Sequence, residues 1–375
     1  MIDEVVNITI IGAGLVGLAV AKELSARHKN VVLLEKNNSY GMETSSRAGE
    51  IIHSGLYFPA GLFKGDFCRA GNIALIETCA KQNIPHKRIG KLIVANGTEQ
   101  VDRLEDIKAD GEENGVDDLS FLSKKQIHSL EPSVSADAAL FSPSTGIIDS
   151  HKLMDYFLKA AEFNGAVVVY RSEVTGVHFD GKDYVVEVND GQYTFKTNVL
   201  VNSTGLYSDR VSGLVGINTD EHGYKIHYNK GVFYHASPSP KLHHLVWPVN
   251  PRKAKGSKRR GIHSDVDLAG MVKFGPSWDY VDKLDYTIDE SQKGFFYESL
   301  KTYLPQITIE SLNPSMCGIR PQLQGPDEPY RDFIIKDEAA LGYPALINLV
   351  GIECPGHTCC IPIAQYVTSL VAHYV

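Results

Sequence analysis

The sequence predicts a mixed α/β (α+β) protein in which a β-rich segment is inserted into a domain with parallel strands. Residues 5–11 and 346–350 are continuous, mostly aliphatic runs, which are typical of buried parallel strands. Residues 166–197, by contrast, contain short strands separated by Gly-Lys-Asp and Asn-Asp-Gly turns, which are typical of an antiparallel meander. The parallel strands near both ends of the chain therefore enclose the antiparallel ones.

Length and composition favour a two-domain globular protein and argue against several other classes. The 375 residues allow a large core and favour two domains over one. Apolar residues make up 43 % of the chain, which argues against intrinsic disorder. The net charge of −8, from 37 Lys and Arg against 45 Asp and Glu, argues against a general nucleic-acid binder. Residues 252–260 are a local basic run, either a solvated loop or a contact for phosphate or an anionic surface.

The sequence predicts a protein of a reducing compartment, the cytoplasm. No apolar run reaches the roughly 18 residues that a membrane helix needs. No signal peptide or Arg-rich presequence precedes the first strand. The six cysteines are unevenly spaced, unlike a secreted disulfide framework.

The first elements along the chain form a βαβ unit. Residues 12–17 follow the first strand and read GAGLVG. A helix over residues 18–28 then carries apolar side chains at helical spacing. A second buried strand, residues 31–34, ends at Glu35. Further along, the patterns predict helices at residues 65–80, 99–115, 148–163, 289–303 and 361–373, and short strands with loops from 224 to 335.

Residues 12–17 match the G-x-G-x-x-G pattern of a dinucleotide site. Gly12 permits a tight turn, Gly14 lets the backbone approach a pyrophosphate, and Gly17 lets the helix pack close to the strand. The N–H groups at the start of that helix then face the anion. Glu35, at the end of the second strand, is placed to accept hydrogen bonds from ribose hydroxyls.

The layout of the strands favours FAD over NAD. A chain that binds NAD usually continues with alternating strands and helices, whereas this chain interposes a meander and returns with glycine-ended strands. We therefore predict a discontinuous FAD-binding domain formed by residues 1–85, 145–215 and 330–375. The predicted substrate (cap) domain comprises residues 86–144 and 216–329.

The segment of residues 44–57 carries a resemblance to a known family. It reads TSSRAGEIIHSGLY, and Pro59, Lys64 and Cys68 follow it. This pattern resembles the D-amino-acid-oxidase-like (DAO) superfamily of FAD-dependent oxidoreductases, and within it the L-2-hydroxyglutarate dehydrogenases most. Shorter matches extend the resemblance over essentially the whole chain, at residues 144–149, 202–209, 230–231, 247–249 and 318–321. The resemblance implies a Rossmann-like FAD-binding domain with an inserted antiparallel β-sheet substrate domain over the flavin.

The resemblance also implies a reaction. A 2-hydroxy acid, first of all L-2-hydroxyglutarate, gives a hydride from C2 to flavin N5 and becomes a 2-oxo acid. The electrons then pass to a second acceptor, for which a quinone and another flavoprotein are the candidates. The resemblance also allows a mitochondrial location, although no presequence is visible in the chain.

Two residues are the candidates for catalysis. Oxidation of an alcohol needs a base, and His53, with an ordinary pKa of about 6.5, suits this role. The alternative is a structural histidine that hydrogen-bonds the flavin edge. The resemblance implies that Arg320 holds the substrate carboxylate through bidentate hydrogen bonds. The alternative for Arg320 is a structural pair with a carboxylate of the protein.

Further residues are expected to bind the substrate or the cofactor. A five-carbon diacid needs a second cation, and the residues expected to bind substrate are Arg47, Tyr57, Lys64, Lys230 and Lys273. For Tyr57, and for Tyr234, which could also donate a hydrogen bond, a place in the core is the alternative. The start of the last helix would favour negative charge at the N1/O2 edge of a reduced flavin. The residues expected to contact FAD are Gly12, Ala13, Gly14, Leu15, Val16, Gly17, Glu35, Lys36, Thr44, Ser45, Ser46, Arg47, Val174, Gly205, Arg320, Gly351, Pro355, Gly356 and His357.

The chain departs from the family pattern at two places. Because of these departures, two alternative functions stay open. The family usually has Asn-Ser at the positions of Ala48 and Gly49, and Ser or Ala at those of Cys354, Cys359 and Cys360. One alternative function is an amino-acid or amine oxidase of the same fold. The other is a flavin-binding protein that has lost turnover.

The crowded cysteines have three explanations of their own. Cysteine packs as a small apolar residue, so that simple replacement of Ser or Ala explains all three. A redox pair of Cys354 with Cys359 or Cys360 is the second explanation. A metal site of these cysteines with His357 is the third, although its spacing is unlike the usual Cys-x-x-Cys pairs. We predict no metal.

Overall fold

The computed structural model describes residues 5–250 and 261–375, so that the basic run of residues 252–260 lies outside the described residues. The α-helices are α1 (Leu15–Ser25), α2 (Phe63–Gln82), α3 (Thr98–Glu113), α4 (Lys124–Leu130), α5 (Ser150–Phe163), α6 (Ser208–Val215), α7 (Lys293–Leu300) and α8 (Gly356–Val371). The first strands are β1 (Val6–Ile11), β2 (Val31–Leu34), β3 (Ile51–Ile52), β4 (His86–Lys87), β5 (Lys91–Ala95), β6 (Ser120–Ser123), β7 (Ala138–Ser142), β8 (Gly146–Ile148), β9 (Val167–Val169) and β10 (Val174–Phe179). The others are β11 (Tyr184–Val188), β12 (Tyr193–Asn202), β13 (His227–Ala236), β14 (Leu245–Pro248), β15 (Ser264–Val266), β16 (Val272–Phe274), β17 (Asp279–Val281), β18 (Leu312–Gln322), β19 (Ile334–Glu338) and β20 (Tyr343–Val350).

The chain divides into two compact units. The first unit comprises Met1–Ser46, Ser150–Tyr228 and Arg320–Val375, and the second comprises Arg47–Asp149 and Asn229–Ile319. These boundaries differ from the predicted ones mainly at residues 47–85, which lie in the second unit. The reason is local pairing, because β3 pairs with β8 and α2 bonds to the loops that follow β3 and precede β8.

The first unit is built on an eight-stranded sheet. Its order is β10-β11-β12-β1-β2-β9, with β20 paired to β12 and β19 to β20. Strands β1, β2 and the second half of β12 are parallel and nearly all buried, as their aliphatic sequences predict. Helices α1, α5 and α8 pack together, α1 against both of the others.

Strand β12 corrects one detail of the prediction. The sequence suggests two separate strands, at residues 193–196 and 199–201, whereas the structure has one continuous strand, Tyr193–Asn202. Its first half pairs antiparallel with β11, and its second half pairs parallel with β1 and β20. One strand therefore joins the meander to the nucleotide-binding sheet, and Asn202 ends it.

The second unit is built on a nine-stranded sheet in the order β17-β13-β16-β15-β14-β5-β7-β6, with β18 paired to β13. Side chains alternate across it. One face carries the main apolar core, which includes Leu92, Val246 and Phe274 and packs against Phe296 of α7. The structure limits α7 to Lys293–Leu300, after a 3₁₀ turn at Glu290–Gln292, where the sequence predicts one helix over 289–303. No helix within residues 5–250 or 261–375 is both long and apolar enough to cross a membrane.

Candidate active site

The turn between β1 and α1 is so tight that a side chain is excluded at two positions. Gly12 has a φ of 99°, and a Cβ there would lie 2.8 Å from the Ser203 carbonyl oxygen. A Cβ at Gly17 would lie 1.9 Å from the Gly12 carbonyl oxygen. The first turn of α1 therefore lies directly against the end of β1, which is the geometry that a pyrophosphate-binding turn requires. Ala13 and Leu15 are buried in this turn.

Ser45 of the predicted family loop lies beside this turn. Its Oγ accepts the Leu15 N–H at 3.0 Å and would lie 3.1 Å from a Cβ at Gly14. The helix itself supplies no side-chain cap and no acidic residue in its first turn. Its remaining N–H groups and its dipole therefore favour an anion at this end.

The carboxylate of Glu35 is bonded to this turn from the end of β2. Its Oε2 accepts the Ala13 N–H at 2.8 Å, and its Oε1 accepts the main-chain and side-chain N–H groups of Asn37 at 2.8 and 2.9 Å. Glu35 thus takes the strand-end position that a ribose-binding carboxylate occupies, and its oxygens also stabilise the turn.

Lys36 makes contacts of a different kind. Its Nζ lies 3.5 Å from the centroid of the Tyr207 ring and 3.0 Å from Glu43 Oε1. Burial lowers the pKa of Lys36, but the hydrogen bonds and charges of Tyr207 and Glu43 raise it more, so that the net pKa lies above its ordinary value. Lys36 therefore stays charged and links two loops of the first unit.

The other residues of the first unit that are predicted to contact FAD lie at the ends of its strands and helices. Val174 begins β10, Gly205 begins the 3₁₀ turn Gly205–Tyr207 after β12, and Gly351 directly follows β20. Pro355 precedes α8, Gly356 begins it, and no acidic residue lies in its first turn. Strands β1, β12 and β20 pair in parallel, so their carboxyl ends meet at one edge of the sheet.

His53 lies in the second unit, on a loop that α2 supports. Its carbonyl oxygen accepts hydrogen bonds from Asn72 Nδ2 at 3.0 Å and from the Cys68 thiol at 3.8 Å. Cys68 and Asn72 are four residues apart on α2 and both are buried, so that they share one face of the helix. Asn72 Nδ2 also donates to the Ser144 carbonyl oxygen at 3.0 Å. Helix α2 therefore fixes the main chain at His53.

The His53 ring packs in a group of aromatic rings. It makes an edge contact with Trp247, with the ring centroids 5.8 Å apart and an angle of 70° between the planes. His263 stacks flat on the same indole at 3.7 Å and 8°, and Tyr57 lies parallel to it at 6.0 Å. Phe58 adds an edge contact to His53 at 6.4 Å. The position of the imidazole thus depends on Trp247.

The strand register places buried charges on the sheet face that carries Trp247. Leu245 is paired with Lys91, Val246 with Ser264, and Asp265 with Lys273. Because side chains alternate along strands, Lys91, Trp247, Asp265 and Lys273 share one face. Lys91 is only 1 % exposed, and its Nζ lies 4.3 Å from the Trp247 ring and 4.7 Å from the Tyr57 ring.

Two of the basic residues that are predicted to bind substrate contact the segment of residues 285–287 in the second unit. The Arg47 guanidinium lies 4.3 Å from the centroid of the Tyr286 ring, and its Nη1 donates to the Cys317 carbonyl oxygen at 3.4 Å. Lys230 Nζ donates to the Thr287 carbonyl oxygen and lies 3.8 Å from Asp285 Oδ2. Both cations therefore have protein partners around residues 285–287.

The remaining substrate candidates differ in exposure. Lys64 is buried at the start of α2, whereas the Lys273 side chain is 24 % exposed and its Nζ lies 3.8 Å from Asp267 Oδ2. Tyr57 is partly exposed on Trp247. Tyr234 is fully buried against Phe296, which agrees with the core alternative for this tyrosine.

Arg320 lies on β18 and is half-buried. The residue two positions before it must be glycine, because a Cβ at Gly318 would lie 2.2 Å from the Arg47 carbonyl oxygen. This close approach explains the Gly-x-Arg spacing in physical terms, since the two main chains touch at Gly318.

The cysteines near α8 differ in burial. Cys359 and Cys360 have no exposed surface, whereas Cys354 is exposed just before the helix, and His357 is half-buried in its first turn. None of the six cysteines forms a disulfide in the part of the chain that the structure describes. The burial of Cys359 and Cys360 favours their role as small packing residues.

Comparison with known proteins decides the family. A profile of the DAO family, described as FAD dependent oxidoreductase, matches residues 7–370. The chain belongs to this family. The mitochondrial L-2-hydroxyglutarate dehydrogenase of Arabidopsis thaliana is 33 % identical over an alignment of 413 positions. The alignment covers 98 % of this chain and 83 % of that protein. The glycerol 3-phosphate dehydrogenase of Caloramator mitchellensis is 27 % identical, with 97 % of this chain and 73 % of that protein covered.

A solved structure extends the comparison to three dimensions. The dithionite-reduced L-α-glycerophosphate oxidase of Mycoplasma pneumoniae, with FAD bound, matches with a TM-score of 0.86 at 25 % identity. The match covers 98 % of this chain and 95 % of that chain. The predicted fold class and the dependence of this oxidoreductase on FAD are thereby confirmed.

The first unit of this FAD-dependent oxidoreductase also fits the cofactor on its own geometry. Two positions in the β1–α1 turn exclude a side chain, the N-cap residue of α1 makes no side-chain hydrogen bond, and Glu35 stands at the end of β2. These are the features that hold a pyrophosphate and a ribose. The roles of the individual site residues remain predictions.

Lys91, His263 and Asp265 are not among the site residues predicted from the sequence, and Trp247 belongs there only to a matching segment. One signal was available: Ser264-Asp265-Val266 and Lys91 place polar residues inside short strands, where burial of charge is costly and points to function. The sequence alone does not reveal that these strands are neighbours.

Proposed function

We propose that this protein oxidises L-2-hydroxyglutarate to 2-oxoglutarate. The observation that carries the proposal is the edge contact of the His53 imidazole with Trp247, with the buried Lys91 on the same indole. A buried cation near the proposed base suits an anionic hydroxy acid, because the positive charge attracts the substrate. The similarity to the Arabidopsis L-2-hydroxyglutarate dehydrogenase over 98 % of this chain supports the substrate.

The proposal assigns a residue to proton transfer and to each carboxylate of the substrate. His53 takes the hydroxyl proton of the substrate as the C2–H bond breaks, so that the carbonyl of the product can form. Arg320 holds the C1 carboxylate through two parallel hydrogen bonds. Lys273 is our choice for the distal carboxylate, since its side chain is partly exposed while Lys64 and Lys230 are buried. FAD, when bound, supplies the hydride acceptor.

Glycerol 3-phosphate is the second candidate substrate. Both the Caloramator relative and the Mycoplasma structure carry it in their names. It shares the chemistry that the proposed residues recognise, a secondary alcohol beside an anionic group. The choice between the two therefore depends on whether the anion next to the alcohol is a planar carboxylate, which suits an Arg fork, or a phosphate.

An anaerobic flavin-bleaching screen tests the proposal. The purified protein is mixed with L-2-hydroxyglutarate, D-2-hydroxyglutarate, glycerol 3-phosphate or glycine, and the flavin absorbance is followed. We expect bleaching by L-2-hydroxyglutarate in the wild type, and a loss of at least about 100-fold in its rate in H53N, because the base is removed. H128N, which changes an exposed histidine of α4, is the matched control.

Other outcomes of the screen assign the protein differently. Faster bleaching by glycerol 3-phosphate makes that compound the substrate, and bleaching by glycine with release of peroxide supports an amine oxidase. A flavin that no compound reduces supports a protein without turnover. An H53N variant that reacts like H128N contradicts the role of His53 as the base.

The electron acceptor and the compartment belong to the same proposal. We propose a quinone or a second flavoprotein as acceptor and a reducing compartment, in line with the cysteine content. The Arabidopsis relative is named as mitochondrial. Steady-state rates with a dichlorophenol dye, a quinone and oxygen distinguish a dehydrogenase from an oxidase, since only an oxidase releases peroxide in proportion to turnover.

A further inference from the structure

A buried carboxylate lies next to the aromatic group around His53. Asp265, in the middle of β15, is 3 % exposed, and its Oδ1 accepts the Trp247 Nε1–H at 2.8 Å. Its other oxygen, Oδ2, is buried without a hydrogen-bond partner in the described part of the chain. An incompletely bonded carboxylate costs free energy, so its presence calls for a role beyond packing.

Trp247 connects this carboxylate to His53. The indole has one polar atom, Nε1, and it can only donate. The hydrogen bond to Asp265 is therefore the directional contact that fixes the rotation of the indole in its own plane. The His53 and Trp247 rings meet in an edge contact at 5.8 Å, and His263 stacks on the indole at 3.7 Å. A turn of the indole would change the angle at which it meets the imidazole.

The positive charges around Asp265 offset the effect of burial on its pKa only in part. Burial raises the pKa of Asp265, while the Trp247 hydrogen bond and the charges of Lys91 and Lys273 lower it, so that the net pKa is about 7. The other titratable groups packed here are His53, His263, Tyr57 and Tyr303, and the last bonds to Ser264 Oγ. The carboxyl group of Asp265 is therefore a titratable charge bonded to the indole that contacts His53.

We propose that Asp265 is a positioning residue for His53 and acts through Trp247. The carboxylate orients the indole, and the indole orients the imidazole toward the substrate hydroxyl. This inference rests on the proposed function, because it takes His53 as the base. It adds a residue of β15 to the reaction, more than 200 residues away from His53 in the sequence.

Gly49 provides a matched pair of variants for the free oxygen. A Cβ at Gly49 would lie 3.4 Å from Asp265 Oδ2 and 3.5 Å from Ile51 Cδ1, which are ordinary contacts. A serine there would bring a hydroxyl within reach of Oδ2, whereas an alanine would add the Cβ alone. Hydrogen bonding favours the charged form of a carboxyl group, so G49S makes Asp265 ionise at lower pH and G49A does not.

A double-mutant cycle between Asp265 and Trp247 tests the link. D265A and W247F both remove the N–H···O bond, and we expect each to lower kcat by about 10- to 100-fold with little change in KM, as misplaced catalytic groups do. The double variant should be no slower than the slower single variant, because both break one link. D265N keeps the accepting oxygen and should restore kcat to within about threefold of the wild type. Losses that multiply, or a D265N variant as slow as D265A, overturn the proposal.

A second measurement needs no substrate and separates this inference from the proposed function. NMR of the holoenzyme with isotope-labelled histidine, in which H53N identifies the His53 signal, reports the pKa and the surroundings of that ring. We expect the His53 signal to move in W247F and D265N, and its pKa to be higher in G49S than in G49A, because the ionised Asp265 favours the imidazolium. If no compound of the screen is turned over but these shifts occur, only the proposed reaction fails. If L-2-hydroxyglutarate is oxidised but the His53 signal is the same in all these variants, only the positioning role of Asp265 fails. The G49S and W247F variants give this answer even if the D265A protein does not fold.

Discussion

Replacement of Gly17 by alanine is the most direct test of the nucleotide-binding turn. The added Cβ would lie 1.9 Å from the Gly12 carbonyl oxygen and 2.7 Å from Ser203 Oγ, whereas real Cβ contacts essentially never fall below 3.0 Å. The first obstacle is a main-chain atom, which cannot rotate aside. The start of α1 must therefore move by about 1 Å relative to β1, and its N–H groups with it.

The expected magnitude follows from two opposing effects. Alanine in place of glycine stabilises a helix interior by about 0.8–1 kcal/mol. Overpacking costs about 1–3 kcal/mol, and a clash with a main-chain atom belongs in the upper part of this range, at about 2–3 kcal/mol, so we expect a net destabilisation of about 1–2 kcal/mol in G17A. Displacement of the N–H groups that face the pyrophosphate should weaken FAD binding by at least about tenfold, or about 1.4 kcal/mol.

The assay compares G17A with a matched control. Gly213 lies in α6 with no heavy atom within 4 Å of an added Cβ, so G213A should be neutral or stabilising by up to about 1 kcal/mol. FAD content after purification, FAD titration of the apoprotein and thermal unfolding are measured for both variants. A G17A protein that binds FAD as tightly as G213A and unfolds at the same temperature would contradict the tight packing of α1 against β1 at Gly17.

Three further predictions concern single side chains. R320K should raise KM for the anionic substrate by about 10- to 100-fold in steady-state kinetics, because a lysine cannot form the bidentate fork; an unchanged KM would assign Arg320 a structural role. Burial raises the pKa of Asp265 from 3.8 to about 7, so the native protein keeps a proton there that the unfolded chain has lost, and stability falls as the pH rises from about 4 to 7. D265N should remove up to about 4 kcal/mol of this decline in urea unfolding, and a decline as steep as that of the wild type would contradict the assignment. C359S, which buries a hydroxyl at a fully buried position, should lower the free energy of unfolding by about 1–3 kcal/mol, whereas the exposed C354S should change it by less than about 0.5 kcal/mol; equal effects in thermal unfolding would argue against packing as the role of Cys359.

Much of the fold could be predicted because its signals are local. A buried strand, a glycine turn and a helix follow one another within residues 5–28, and each is visible in the spacing of apolar and glycine residues. The predicted helices at residues 65–80 and 148–163 correspond to α2 and α5. The assignment of residues 47–85 to a domain was less accessible, since it depends on the pairing of β3 with β8 across about 95 residues.

Local sequence patterns are sufficient to predict the cofactor class and the position of a candidate base. The glycines at 12 and 17 admit only a close strand–helix turn, and the loop of residues 44–57 carries the family pattern around His53, so short stretches of chain were enough. The surroundings of that base, by contrast, depend on how distant strands pair. Lys91 lies on β5, more than 150 residues before Trp247 on β14 and Asp265 on β15, and only the register of those strands places the three on one face. Register depends on pairing energies summed over the whole sheet, and for that reason no local pattern reveals it.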